Sequence, residues 1–379
     1  MPPSRIGIIG GGQLGRMLSI EAKRMGYYVC VLDPTPSCPA GQVSDYQITA
    51  PFTDYNSIKE LAKNSDVLTY EFEHIDSDIL CKLEMEGYNI YPSGKTLKKI
   101  QNKLDQKLLL QAAGLPVPAF RKVSTKEDVL EIIGEYGLPV LLKTCSGGYD
   151  GKGNIIIKDI KDVDKAFDAF KGRELMVEQF INFKCELSTI VCRGFDKNIT
   201  NFPVVENIHN NSILNLTKVP ALIEKSVENK ALDVAKRVLD VFDDYGIFCI
   251  EMFLDEHDNI YINEIAPRPH NSGHYTIEAC VTSQYGQLLR IITGMPQGST
   301  KLLSPCAMVN ILGNEVNGEY TFDGFDTVLN LEKVYIHVYG KALTQNLKKI
   351  GHITALDNTR DAAVKKAQDA LKKIVVKPK

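Results

Sequence analysis

The residues best suited to chemistry lie in two apolar segments, Phe248–Leu254 and Ile260–Ile265, joined by the polar turn Asp255-Glu-His-Asp-Asn259. Together they read as an antiparallel hairpin. A two-residue turn centred on His257 and Asp258 would set Asp255 against Ile260 and Glu251 against Glu264. Side chains opposed in this way share a face, with Cβ atoms roughly 5 Å apart. Two carboxylates that close repel, and burial worsens the conflict unless a cation lies between them. Magnesium bridging carboxylates and nucleotide phosphates resolves it. Asn263, next to Glu264, would add an oxygen ligand for phosphate or metal. A shifted register would instead turn one acid to solvent.

Other stretches fit the same chemistry. Lys143-Thr-Cys-Ser-Gly-Gly-Tyr-Asp-Gly-Lys-Gly153 puts a lysine at a strand end and four glycines before the next strand. Such a loop can turn backbone amides toward phosphate oxygens, or be a flexible hairpin tip. No Lys-Ser/Thr pair opens a helix here, so it is not a Walker A loop. In Met176-Val-Glu-Gln-Phe-Ile181, Glu178 stands among apolar residues, with Glu186 following. These acids could receive an adenine amino group or ribose hydroxyls, or lie on an exposed edge strand. Gly10, Gly12 and Gly15 fit G-x-G-x-x-G between a strand and a helix, with Asp33 closing the next strand. Alone, that pattern allows a dinucleotide, another phosphorylated ligand, or a tight crossover holding nothing. In Ala266-Pro-Arg-Pro-His-Asn-Ser-Gly-His274, His270 and His274 are four apart. Pro267, Pro269 and Gly273 argue against the regular helix a zinc pair would need, which favours a substrate- or phosphate-facing loop.

These groups need elements to position them. Residues 5–10 read as a strand, Gln13 to Met25 as a helix, and Tyr28–Leu32 and Val67–Tyr70 as strands. Alternating strands and helices imply a parallel, doubly wound sheet over about 1–100. After the Pro-rich stretch 114–118, Ser124 with Glu127 forms a capping-box pattern opening a helix. Val140–Thr144 and Asn154–Lys158 read as strands around the glycine loop, and Val163, Ala166, Phe167 and Phe170 mark an amphipathic helix. This segment, about 118–177, is small enough to move as a lid on a unit spanning 101–295. A helix through Ala231, Val234, Ala235, Val238, Leu239 and Phe242 follows, and the tail 296–379 holds a strand at Val334–Val338 and a final basic helix.

Composition narrows the field. The chain has 379 residues and a formal net charge of −3, so nothing argues for a broad nucleic-acid or anionic-membrane surface. No apolar run approaches the roughly 20 residues of a membrane span. Nine scattered cysteines form no CxxC pair, which fits reduced, mostly buried thiols in a cytoplasm.

The strings IGIIGGGQLGRML, TYEFEHI, GGYDGKG, EQFI followed by CELS, ENIH, and NEIAPRPHNSGHYTIEAC resemble the ATP-grasp superfamily over nearly the whole chain. Within it, they resemble the 5-(carboxyamino)imidazole ribonucleotide synthetase family. The resemblance implies an α/β ATP-grasp fold with an α+β lid, an N-terminal pre-ATP-grasp domain, and a small C-terminal domain completing a substrate phosphate site. It implies a cytoplasmic homodimeric ligase of purine biosynthesis that uses ATP to join bicarbonate to 5-aminoimidazole ribonucleotide through carboxyphosphate, with hand-off to a mutase. One or two magnesium ions would sit on Glu251 and Glu264. Lys103, Lys143, Gly148, Gly151, Glu178, Gln179, Phe180, Ile181, Glu186, His209 and Asn263 would bind ATP. Tyr149, Asp150, Lys152 and Arg268 would lie at the reacting centre, Asp150 taking a proton from the amine. Gln13, Leu14, Glu73, His270, Asn271 and Ser272 would line the aminoimidazole pocket, so the N-terminal glycines would face that substrate rather than NAD, and Lys341, Lys348 and Lys349 would hold the ribonucleotide phosphate. Gln345 and Lys348 stand where this family usually has arginines, and Lys103 where arginine is common; a lysine keeps the charge but loses the planar fork. The rivals are another ATP-grasp ligase, such as a formate-dependent glycinamide ribonucleotide transformylase, an NAD(P)-dependent oxidoreductase, and a nucleotide-binding regulatory module.

Overall fold

The computed structural model describes residues 5–147 and 153–379. Strand β1 (Arg5–Ile9) has four buried residues in succession after an exposed arginine, the pattern of a strand covered on both faces. With β2 (Tyr28–Leu32), β3 (Tyr46–Ile48) and β4 (Val67–Tyr70) it forms a parallel sheet in the order β3-β2-β1-β4. Helices Gln13–Arg24, Tyr55–Lys63 and Ser77–Met85 fill the connections. This is the doubly wound unit expected from the alternation of strands and helices.

A second sheet comprises β5 (Phe120–Val123), β6 (Val140–Thr144), β7 (Asn154–Ile157) and β8 (Leu175–Gln179) in the order β5-β8-β6-β7. Val129, Ile132, Leu142 and Val177 belong to its own apolar core, so the segment packs as a unit. Helix Lys126–Tyr136 does open on a capping box, but with Thr125 and Asp128, one residue later than the Ser124–Glu127 pair. The Asp128 carboxylate accepts the backbone N–H groups of both Ser124 (2.7 Å) and Thr125 (2.9 Å), which places it at the third helical position where the reciprocal bond can form.

The third sheet is the largest. It contains β9 (Phe183–Arg193), β10 (Ile199–Asn201), β11 (Val205–Asn210), β12 (Ile213–Val219), β13 (Gly246–Asp255), β14 (Ile260–Ala266) and β15 (Cys306–Leu312). Beyond these, β16 (Tyr320–Asp323) pairs with β19 (Val375–Pro378), while β17 (Val334–Val338) and β18 (Lys349–Leu356) join the large sheet. Its order is β14-β13-β9-β11-β12-β15-β18-β17, with β10 on β9. Within the tail from 296, β15 pairs antiparallel with β12, and one continuous sheet carries both the hairpin acids and Lys349. Helix Lys225–Phe242 covers this sheet with Ala231, Val234, Ala235, Val238, Leu239 and Phe242, all buried, the 3.6-residue stripe read from the sequence. All nine cysteines are free thiols and seven are buried. No helix among the described residues is long and apolar enough to cross a membrane.

Candidate active site

The hairpin does oppose Glu251 to Glu264, though by a different route from the one expected. At the turn, Leu254 pairs with Ile260, one residue away from the anticipated Asp255–Ile260 pairing. The offset persists through Met252–Ile262 and then a bulge at Asn263 restores the pairing of the two acids. A bulge puts two residues against one and re-aims the side chains beside it. Both Asn263 and Glu264 line a cleft of about 440 Å³. Each acid meets a cation. Glu264 Oε2 is 3.1 Å from Lys103 Nζ, and Glu251 Oε1 is 3.2 Å from His270 Nε2. Burial alone would raise the Glu251 pKa, but His270, His209 and Lys103 draw it down to about 2.

The four-stranded sheet β5-β8-β6-β7 presents Lys143 from β6 and Glu178 from β8 to the same cleft. Lys143 Nζ donates to Glu178 Oε1 at 2.7 Å. The other carboxylate oxygen, Oε2, lies 2.6 Å from the ammonium of Lys107, a residue the sequence reading did not single out. Its signal was its place one helical turn after Lys103 in helix Lys103–Ala112. Burial would raise the Glu178 pKa, yet Lys107 and Lys143 hold it near 2. The carboxylate is thus taken up by two lysines, and Gln179, Phe180 and Ile181 line the cleft beside it. Glu186 Oε2 meets His209 Nδ1 at 2.9 Å, and both line the same cleft. Burial would lower the His209 pKa, but the Glu186 carboxylate raises it.

The amides of the N-terminal glycines are taken up within the chain. The N–H groups of Gly12 and Gly15 both donate to the carboxylate of Glu71, the second at 2.6 Å. Gly11 N–H donates to Asp33 Oδ2 at 2.8 Å. A Cβ on Gly12 would fall 2.6 Å from Glu71 Oε1, so a side chain there would push the carboxylate off the Gly12 and Gly15 amides. The amides that would cradle a pyrophosphate in a dinucleotide site are occupied by two of the chain's own acids, which argues against the nicotinamide alternative. Glu71 lies two residues before Glu73, and that spacing was its only signal. Gln13 begins the helix and does not line the cleft, and Leu14 packs in the core.

Glu73 does reach the cleft, where Arg268 Nη2 contacts its Oε1 at 2.7 Å and its Oε2 at 2.9 Å. Gln101 Nε2 holds the backbone of this stretch by donating to the carbonyls of Glu73 and Ile75, each at 2.6 Å. His270 and Asn271 line the cleft, and Asn271 exchanges two amide hydrogen bonds with Asn310 of β15 at 3.0 and 2.7 Å. Ser272 is a correction to the expected pocket lining. It is buried behind His270, with its Oγ 2.8 Å from His270 Nδ1 and 2.9 Å from Ser188 Oγ. Of the C-terminal lysines, Lys349 lines the cleft. Lys341 Nζ donates to the Lys349 carbonyl at 2.8 Å, and Lys348 does not line the cleft. Gly148, Tyr149, Asp150, Gly151 and Lys152 lie outside the described residues.

Comparison with known proteins gives these positions a context. Residues 108–285 match the ATP-grasp domain, residues 4–101 the ribonucleotide synthetase preATP-grasp domain, and residues 306–366 the phosphoribosylaminoimidazole carboxylase C-terminal domain. The fold and cleft are thus those of an ATP-grasp protein with both flanking domains. The chain is 44% identical over 361 residues to the N5-carboxyaminoimidazole ribonucleotide synthase of Bacillus subtilis (strain 168), covering 95% of this chain and 93% of that one. It is similar to the crystal structure of N5-carboxyaminoimidazole ribonucleotide synthetase from Thermotoga maritima, at 45% identity and a TM-score of 0.91 over the full length of both. A synthase from Aspergillus clavatus, in complex with ADP and 5-aminoimidazole ribonucleotide, matches at 34% identity and a TM-score of 0.90, covering 97% of this chain and 98% of that one. The chain belongs to the N5-carboxyaminoimidazole ribonucleotide synthase family.

Proposed function

We propose that the protein carboxylates 5-aminoimidazole ribonucleotide with bicarbonate at the expense of ATP, giving N5-carboxyaminoimidazole ribonucleotide, ADP and phosphate. The observation that carries this reading is one cleft shared by the opposed acids Glu251 and Glu264, the cation Lys143, the Arg268–Glu73 pair and Lys349. Lys103 and Lys143 would take the nucleotide phosphates, with adenine against Gln179–Ile181 and the ribose on Glu186. Arg268, Glu73 and His270 would hold the aminoimidazole, and Lys349 the substrate phosphate.

Glu251 and Glu264, with Asn263, would hold magnesium, which supplies positive charge against the phosphate oxygens. The donor set suits that ion: Mg²⁺ is usually held by one or two carboxylates plus substrate phosphates. Lys103 and His270, resting against the two carboxylates at 3.1 and 3.2 Å, mark where positive charge is favoured. In the reaction a bicarbonate oxygen takes the γ-phosphoryl group and ADP leaves. The exocyclic amine then attacks the carbonyl carbon of the acyl phosphate, phosphate departs, and the amine gives up a proton. Asp150 would accept that proton, while Lys143 offsets charge on the transferring group. By family membership we also infer a cytoplasmic homodimer whose product passes to a mutase.

The test is ADP release with each amine and acid in turn, alongside nicotinamide absorbance. Dependence on both 5-aminoimidazole ribonucleotide and bicarbonate is expected. Turnover with formate and glycinamide ribonucleotide, or a change in nicotinamide absorbance, would overturn the assignment.

A further inference from the structure

We propose that Lys107 is a positioning residue for the nucleotide: it holds the Glu178 carboxylate from behind, so that the Lys143 ammonium can be shared with a bound phosphate chain. The inference rests on the ATP reading of the cleft given above. Lys103 and Lys143 line the cleft and Lys107 does not. The Lys107 and Glu178 side chains are each 2% exposed, and that of Lys143 6%. The two oxygens of Glu178 are divided, Oε1 to Lys143 at 2.7 Å and Oε2 to Lys107 at 2.6 Å. Glu178 is the one ion-pair partner of Lys107 among the described residues.

Two ammonium groups and one carboxylate leave an excess positive charge in a place that solvent barely reaches. Buried charge is unfavourable unless a counter-ion balances it. Of the two lysines only Lys143 opens on the cleft, so the balancing anion must arrive there. Without Lys107, Glu178 and Lys143 would form a neutral one-to-one pair, and an incoming phosphate would compete with Glu178 for Lys143. With Lys107 in place, the carboxylate keeps a counter-ion when Lys143 turns toward phosphate. The excess charge is thus a device for anion capture, and Lys107 acts through Glu178 and Lys143 without touching the ligand.

The experiment compares full-length wild type with Lys107→Met and Lys107→Gln, measuring ADP and ATP affinity by calorimetry, KM and kcat for ATP, and the melting temperature with and without nucleotide. Both variants keep the neutral Glu178–Lys143 pair, so their nucleotide-free melting temperatures should equal or exceed that of wild type. Nucleotide affinity should fall on the order of tenfold to a hundredfold, the range for one charge-assisted hydrogen bond. KM for ATP should rise with it while kcat changes much less. Wild-type affinity in both variants would overturn the proposal, as would a lowered nucleotide-free melting temperature with affinity intact, the pattern of a purely structural lysine. Failure of the wild type itself to bind ADP would instead sink the ATP reading on which the proposal stands.

Discussion

Replacing Glu178 by Gln keeps the shape of the side chain and removes its charge, and the surrounding geometry makes the consequence large. Lys143 Nζ at 2.7 Å and Lys107 Nζ at 2.6 Å would then face one neutral amide. Breaking a buried ion pair by removing one partner costs about 3–5 kcal/mol, because the other charge is left uncompensated. Here two cations lose a shared anion, so a loss of about 4 kcal/mol or more is expected at neutral pH. Part of that loss should be recoverable. Burial already lowers the Lys107 pKa, and removal of its carboxylate lowers it further. The unfolded chain would then bind more protons than the folded one, and stability would rise with pH. Denaturant unfolding of wild type and Glu178→Gln, repeated between about pH 7 and pH 10, measures both effects, with hydrogen exchange of the β6 and β8 amides as a local check. A variant within about 1 kcal/mol of wild type at neutral pH would refute the reasoning, since such a value is typical of any substitution. So would a deficit that does not shrink as pH rises. Lys107→Met supplies the contrast, since it leaves a balanced pair in the same place.

Other perturbations probe the remaining parts of the site. Glu264→Ala should cut ADP formation by on the order of 10²–10³ or more, the scale for loss of one electrostatic stabiliser, with the fold retained by circular dichroism; near-normal turnover would remove Glu264 from the metal assignment. Glu71→Gln turns an amide N–H₂ toward one of the two glycine N–H donors, and an unsatisfied buried donor costs about 1–3 kcal/mol; an unchanged unfolding midpoint would show that the loop does not depend on the carboxylate. Acid should destabilise the fold through Glu178 and Glu251, whose folded pKa values near 2 lie below the ordinary 4.5. A depressed carboxylate pKa contributes stability that is present above the unfolded value and lost as pH falls through the folded one. Stability should therefore drop between about pH 4.5 and pH 2, less steeply in Glu178→Gln, and equal slopes in the two proteins would contradict the Glu178 assignment.

Much of this architecture is legible in the chain because it is written locally. The four buried residues of β1 follow from a short apolar run, the stripe from Ala231 to Phe242 from the 3.6-residue period, and β6 and β7 from the glycine loop between them, all signals that a short window contains. The capping box missed by one residue shows the limit of such windows: Ser124, Thr125, Glu127 and Asp128 offer two overlapping patterns, and the carboxylate that collects both N–H groups is identified only by backbone geometry. The layer behind the cleft is harder to read. Lys107 lies 71 residues from Glu178 and Glu71 lies 59 from Gly12, and no periodic signal links such positions. Ser272 and Leu14 sit inside distinctive motif strings, yet they support the cleft from the interior.

The hairpin shows how a sound expectation can rest on an unsound path. Pairing Asp255 with Ile260 required a two-residue turn, whereas Asp255 Oδ1 instead accepts the N–H groups of His257 and Asn259 at 2.9 and 2.8 Å. That local satisfaction by an acidic side chain tightens the loop in the manner of an Asx turn and moves the first strand pair to Leu254–Ile260. Without correction, the shift would have put Glu264 out of line with Glu251, because one residue of slip exchanges the two faces of a strand. The extra residue at Asn263 cancels it, and the cancellation falls at the position where the two acids must meet. The turn with its own hydrogen bonds and the bulge are therefore coupled. Deleting Asn263 would remove the bulge and let Glu264 follow Ile262 directly into line with Glu251, so the sheet and some turnover should survive the deletion. Complete loss of turnover with the sheet intact would show that opposition of the two acids is not enough and that the bulge itself aims them.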